Sequence, residues 1–200
     1  MIGTILRYGV LGVSAAALTA AVTASATAAT AQSVSQQPYK DAVGDVVDEN
    51  GEKVTAPYGD IALIEGVITR SELTLTYKTA QSQSPLKDKN WASKDSHAKF
   101  TIDTNQDDDP DFSAVYAVNK DGKLATAVYD ATDDSDDAEP ICSGKALYAK
   151  GLHTLVLDLS CLKNPRNLTF RLSTSYHLNA GGENSVVGYD DAPGTRFLSI

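Results

Sequence analysis

Acidic side chains dominate the chemistry this chain could perform. Twenty of its 26 acidic residues are Asp, and eleven of those fall between Asp103 and Asp137. The densest stretch reads Asp103-Thr104-Asn105-Gln106-Asp107-Asp108-Asp109-Pro110-Asp111, with oxygen-bearing side chains at 103, 105, 107, 109 and 111. In a tightly turning loop, alternate side chains point inward at one centre. Calcium is a hard ion that takes roughly six to eight oxygens at about 2.3–2.6 Å, and carboxylates this close repel one another unless a cation lies between them. The spacing predicts a calcium loop whose ligands are Asp103, Asn105, Asp107, Asp109 and Asp111. It departs from the EF-hand pattern, because the sixth position is Asp108 rather than Gly and the twelfth is Ala114 rather than Glu. The competing reading is a solvated acidic turn.

A second set of acids is scattered. Asp41, Asp45 and Asp48 stand in DAVGDVVD, Asp60 precedes an apolar run, and Asp190 and Asp191 stand in YDDAPG. The two ends of a compact domain commonly lie close together, so these acids are candidates to meet around a second cation. The run Asp133-Asp134-Ser135-Asp136-Asp137 lacks alternation and reads as a solvated charge run.

Catalytic signatures are missing. There is no G-x-S-x-G for a serine nucleophile, no H-E-x-x-H for zinc, and no Gly-rich phosphate loop opening a helix. The three His, at 97, 153 and 177, all fall in or beside strand-like runs, where packing is the ordinary role. The chain therefore reads as a non-enzyme. Its net charge of −9 has the wrong sign for nucleic acid, whose phosphates are bound by displacing counterions with Lys and Arg.

Residues 1–31 carry Arg7, an apolar stretch from about Val10 to Val22, and Ala29-Thr30-Ala31 as a small-residue cleavage site before Gln32, with Ala26-Thr27-Ala28 as the alternative. That is the pattern of a secretory signal peptide, and the apolar centre is shorter than the ~20 residues a membrane span needs. Removing it leaves a charge of −10, no membrane span, and a secreted, extracellular protein. Export gives meaning to Cys142 and Cys161, an even pair outside the cytosol and hence a predicted disulfide.

These groups need a scaffold to position them. Residues 32–37 read as a flexible leader and residues 38–200 as one domain. The domain is a series of β-type runs: Ile61–Thr69, Glu72–Thr79, His97–Asp103, Phe112–Asn119, Lys123–Asp130, Ile141–Lys150, Leu152–Ser160, Asn167–Tyr176 and a last edge at Arg196–Ile200. In the second run Leu73, Leu75 and Tyr77 share one face and Thr74, Thr76 and Lys78 the other. Asp121-Gly122 is a hairpin signal. No stretch beyond residue 31 has a helical period. The expected fold is all-β, an antiparallel β-sandwich of jelly-roll type, with a barrel as the alternative. Trp91, the only Trp, lies in the polar loop KDKNWASKD. It reads either as a sugar-stacking ligand contact or as an anchor folding the loop onto the domain, and the anchor is the preferred reading.

The opening DAVGD, the YGDI before an alternating strand, the downstream IDTNQDDDPDF and the closing DDAPG together resemble secreted bacterial β-sandwich domains. The group is the DOMON-like and family-9-carbohydrate-binding-module-like folds, which include accessory modules of extracellular glycosidases. The resemblance spans roughly Asp41 to Pro193. It implies antiparallel jelly-roll strands and structural calcium, with Asp41, Asp45 and Asp60 contributing to one site. Some members of the group bind sugars or haem. Sugar-binding members stack their ligand on exposed aromatic pairs, whereas this chain has one Trp. Met1 is its only Met and leaves with the signal, which excludes a Met-ligated haem. Two functions follow. One is a calcium-stabilised module binding a glycan or cell-envelope component. The other is an extracellular protein-interaction domain, of inhibitor or adhesion type, with no sugar affinity.

Overall fold

The computed structural model describes residues 33–133, 135 and 138–200. The predicted signal peptide and three residues of the 133–137 acidic run lie outside the described residues. Twelve strands form the domain: β1 (Val34–Ser35), β2 (Tyr39–Lys40), β3 (Ile61–Ile68), β4 (Glu72–Thr79), β5 (His97–Asp103), β6 (Phe112–Val118), β7 (Leu124–Asp130), β8 (Cys142–Ala149), β9 (Leu152–Asp158), β10 (Thr169–Leu178), β11 (Val186–Ala192) and β12 (Leu198–Ser199). The only helical elements among the described residues are 3-10 turns at Pro85–Lys87 and Leu159–Leu162.

The fold is all-β and antiparallel. The strands hydrogen-bond in the order β1-β3-β4-β9-β8-β7-β6-β5-β10-β11, with β2 on β3 and β12 on β10. The predicted sandwich had two separate sheets. Here β8 pairs with β7 on one side and β9 on the other, so the strands form one continuous curled sheet. Curling closes it over the apolar faces of its own strands. β4 carries Leu73, Leu75 and Tyr77 inward, as the alternation requires, and β5 buries Ala98, Phe100 and Ile102 on the same principle.

Most of the predicted runs became strands at nearly the predicted bounds. Four elements departed, among them β2, which no predicted run covers. The leader is not free: Val34 and Ser35 pair with Ile68 and Val67 as β1. The end of the Leu152–Ser160 run turns into the 3-10 segment that carries Cys161. β11 was missed, because VVGYDDA breaks its apolar run with a glycine and two acids. The glycine has a structural reason. A Cβ at Gly188 would lie 2.8 Å from Val46 Cγ1, so only Gly lets the 46–56 segment lie against this strand.

Cys142 and Cys161 form a disulfide, with Cα atoms 6.0 Å apart. It ties the start of β8 to the turn after β9. Trp91 is fully buried, which corrects its reading as a sugar-stacking contact, since no solvent-borne ring can reach it. Its ring lies edge-on to Tyr116 and Tyr176, with centroids 6.4 and 5.9 Å away. The polar loop around it is anchored too. Asn90 Nδ2 donates to Tyr176 Oη at 3.2 Å, and Tyr176 Oη donates to Asp88 Oδ2 at 2.6 Å.

Candidate metal centre

The scattered acids meet. After β2 the chain turns through Asp41–Asp45, helped by Gly44 at φ 82°. It then crosses to β11, where Val47 and Tyr189 exchange backbone hydrogen bonds of 3.0 and 2.7 Å. Asp60 ends the loop before β3, and Asp190 sits inside β11. Asp41, Asp45 and Asp190 each present a carboxylate oxygen, and these lie within 4.8 Å of one another. No other group of three His, Cys, Asp or Glu comes this close among the described residues.

Asp60 and Asp190 are held from the backbone. Gly44 N–H donates to Asp60 Oδ2 at 2.8 Å, and Ile61 N–H to Asp190 Oδ2 at 2.6 Å. Asp190 Oδ1 accepts from Asp191 N–H at 2.8 Å. These bonds leave Asp41 Oδ2 and Asp60 Oδ1 buried with no partner. A buried carboxylate oxygen without a donor is costly. Among the described residues no Lys or Arg lies within ion-pair distance of these acids, the single ion pair being that of His177 with Asp95.

The electrostatic consequence falls on Asp190. Burial, with repulsion from Asp45, Asp41 and Asp60, pushes its carboxyl up to about 7 against the opposing Ile61 hydrogen bond. Asp41 is raised by burial and then by Asp45, and Asp60 chiefly by burial. A hard divalent cation suits this all-oxygen set: it would neutralise the repulsion and could take the two unpartnered oxygens as ligands. The donor chemistry therefore fits the ion that the resemblance implies for Asp41, Asp45 and Asp60, with Asp190 added by the fold. Asp60 also borders a groove of about 240 Å³ lined by Lys53, Thr55 and Pro57.

The Asp103–Asp111 loop is built differently. Asp103 is fully buried; its Oδ1 accepts from Asn105 N–H (3.0 Å) and Gln106 N–H (2.6 Å), and its Oδ2 from Asp108 N–H (3.0 Å). Asp111 Oδ2 accepts from the N–H and hydroxyl of Thr104, at 2.8 and 2.6 Å. Asn105 caps Asp107 N–H, and Asp107 caps Asp109 N–H. Four of the five predicted ligands, Asp103, Asn105, Asp107 and Asp111, thus close the turn on itself, as short polar side chains do in Asx turns. Asp107, Asp108 and Asp109 are exposed.

One constellation was not legible in the spacing. His177 Nδ1 lies 2.5 Å from Ser93 Oγ and 3.4 Å from Asp95 Oδ2, and its Nε2 bonds Ser185 Oγ. His177 N–H also donates to Ser96 Oγ at 2.8 Å, and Ser175 Oγ to the Asp95 carbonyl at 2.5 Å. Together these bonds fasten the Ser93–Ser96 turn to β10 and to the start of β11.

No family model matches the chain, and neither a curated protein nor a solved structure matches it.

Proposed function

We propose that this chain is an exported, non-catalytic binding module whose fold is stabilised by calcium held between Asp41, Asp45, Asp60 and Asp190. Its target, on this reading, is a glycan or another cell-envelope component. The observation that carries the cation is the convergence of three carboxylates within 4.8 Å, with Asp41 Oδ2 of that trio and Asp60 Oδ1 buried without donors. The pattern of residues 1–31 supports export, and so does the disulfide, a bond that persists in oxidising compartments. The loop from Asp103 to Asp111 is the less favoured cation position, because Asp103, Asp107 and Asp111 already accept backbone hydrogen bonds.

The test is a melting curve of the full chain, stripped of divalent cations and then supplied with calcium. Binding to the folded state alone stabilises by about 2.7 kcal/mol at a hundredfold excess over Kd, worth roughly 5–10 °C for a domain of this size. Asp41→Asn with Asp45→Asn should abolish that shift. Asp107→Asn with Asp109→Asn, which keeps the capping oxygens of the loop, should leave it intact. Identical curves with and without calcium would refute the reading.

A further inference from the structure

Arginine is scarce here and oddly placed. Beyond residue 33 the chain has four, Arg70, Arg166, Arg171 and Arg196. All four line just two surface grooves, Arg70 with Arg166 in one and Arg171 with Arg196 in the other. The second groove, about 570 Å³, runs between the Asp108 turn and the outer face of β10 and β12. The Arg171 guanidinium lies over the ring of Phe197, 5.2 Å from its centroid, a contact that leaves its N–H donors available. In a protein with 26 acids, neither arginine has a carboxylate within ion-pair distance among the described residues. The hydroxyls of Thr195 and Ser199 line the same groove.

From this arrangement we infer that the Arg171–Arg196 groove binds the oxyanion of an acidic saccharide, a carboxylate or a phosphate carried on a polyhydroxylated ring. The inference deepens the binding-module reading and rests on it. Two unpaired guanidinium groups offer the bidentate donors that carboxylate and phosphate accept best, and the hydroxyls suit a sugar's own. The net negative charge of the protein does not defeat this. At about 0.15 M salt the screening length is roughly 8 Å, so the nearest groups decide. Asp108 at the rim opposes the ligand and acts as a filter on its charge and placement.

The test is calorimetry on the full chain with three probes: trigalacturonate, glucose 6-phosphate and neutral maltotriose. At least one acidic probe should bind and maltotriose should not; which acidic probe wins identifies the oxyanion. Arg171→Gln and Arg196→Gln should each weaken binding tenfold or more, and Asp108→Asn should tighten it a few-fold. Arg70→Gln with Arg166→Gln removes the same charge from the other groove and should change nothing. Equal binding of maltotriose, no binding of either acidic probe, or an equal loss with the Arg70 and Arg166 variant would each overturn the inference. Melting curves of every variant confirm folding. The calcium shift should persist in Arg171→Gln and Arg196→Gln, so failure of the groove and failure of the cation site are read separately.

Discussion

Asp190 Oδ2 accepts a 2.6 Å hydrogen bond from the backbone N–H of Ile61, 129 positions earlier in the chain. One carboxylate thereby fixes the start of β3 against β11 and stands among three other acids. Its burial and the neighbouring carboxylates raise its affinity for a proton, while the Ile61 hydrogen bond opposes them.

The Asp190 carboxyl is raised to about 7, above its unfolded value near 4. A group raised on folding stabilises fully below its unfolded pKa, and that stability is lost as pH rises through the folded one. Cation-free protein should therefore weaken between pH 4 and 8, by about 2 kcal/mol once solvent screening is allowed for. Asp190→Asn keeps an acceptor for Ile61 N–H and removes the charge. Urea melts of the metal-free variant should be flatter over this pH range, and its stability should no longer respond to calcium. A variant that keeps the wild-type calcium response would take Asp190 out of the site.

His153 drives the opposite dependence. Its ring stacks on Tyr77, with centroids 4.3 Å apart, and packs against Trp91, Tyr116 and Tyr148. Both ring nitrogens are buried without partners. The ionisable groups in these contacts are the three phenols, which are neutral in acid. Burial lowers the imidazole to about 3. The unfolded chain, with an ordinary His near 6.5, binds the proton first, so stability falls as pH drops below about 6.5 and the loss is complete near 3. The full effect is of order 4–5 kcal/mol. His153→Phe fills the same stack with an apolar ring. The stability difference between wild type and variant, followed from pH 7 to 4, isolates the histidine from the carboxylates. Parallel curves would mean that His153 reaches solvent or a donor.

The disulfide closes a loop of 19 positions. The chain-entropy model gives it about 3 kcal/mol, worth roughly 6–12 °C in melting temperature at this size. Cys142→Ser with Cys161→Ser should melt that much lower. The unreduced protein should resist thiol alkylation even when unfolded. Free thiols in denaturant, without reductant, would contradict the bond.

Strand periodicity was legible wherever one face of a strand is buried and the other wet. The Glu72–Thr79 run matches its strand residue for residue, because the pleat itself dictates alternation. The two-residue β1 and β2 escaped detection for one reason and β11 for the opposite one. Two residues are too few to show a period, and Gly188-Tyr189-Asp190-Asp191 satisfies the packing of another segment rather than a polar–apolar rhythm. Among the acids, alternate spacing from Asp103 to Asp111 suggested convergence, yet capping by nearby N–H groups uses those oxygens locally. Trp91 kept two meanings until its burial removed one.

The amino-acid order by itself determined the all-β class, the paired cysteines and the excess of carboxylate, since these depend on composition and on neighbours within a few residues. Only the tertiary structure decided which acids share a site. Asp41 and Asp190 are distant in the chain, and nothing local to either records the other. The pairing of Val47 with Tyr189 and the seating of Ile61 on Asp190 bring them together, because long-range strand contacts are set by how the whole sheet curls over its core.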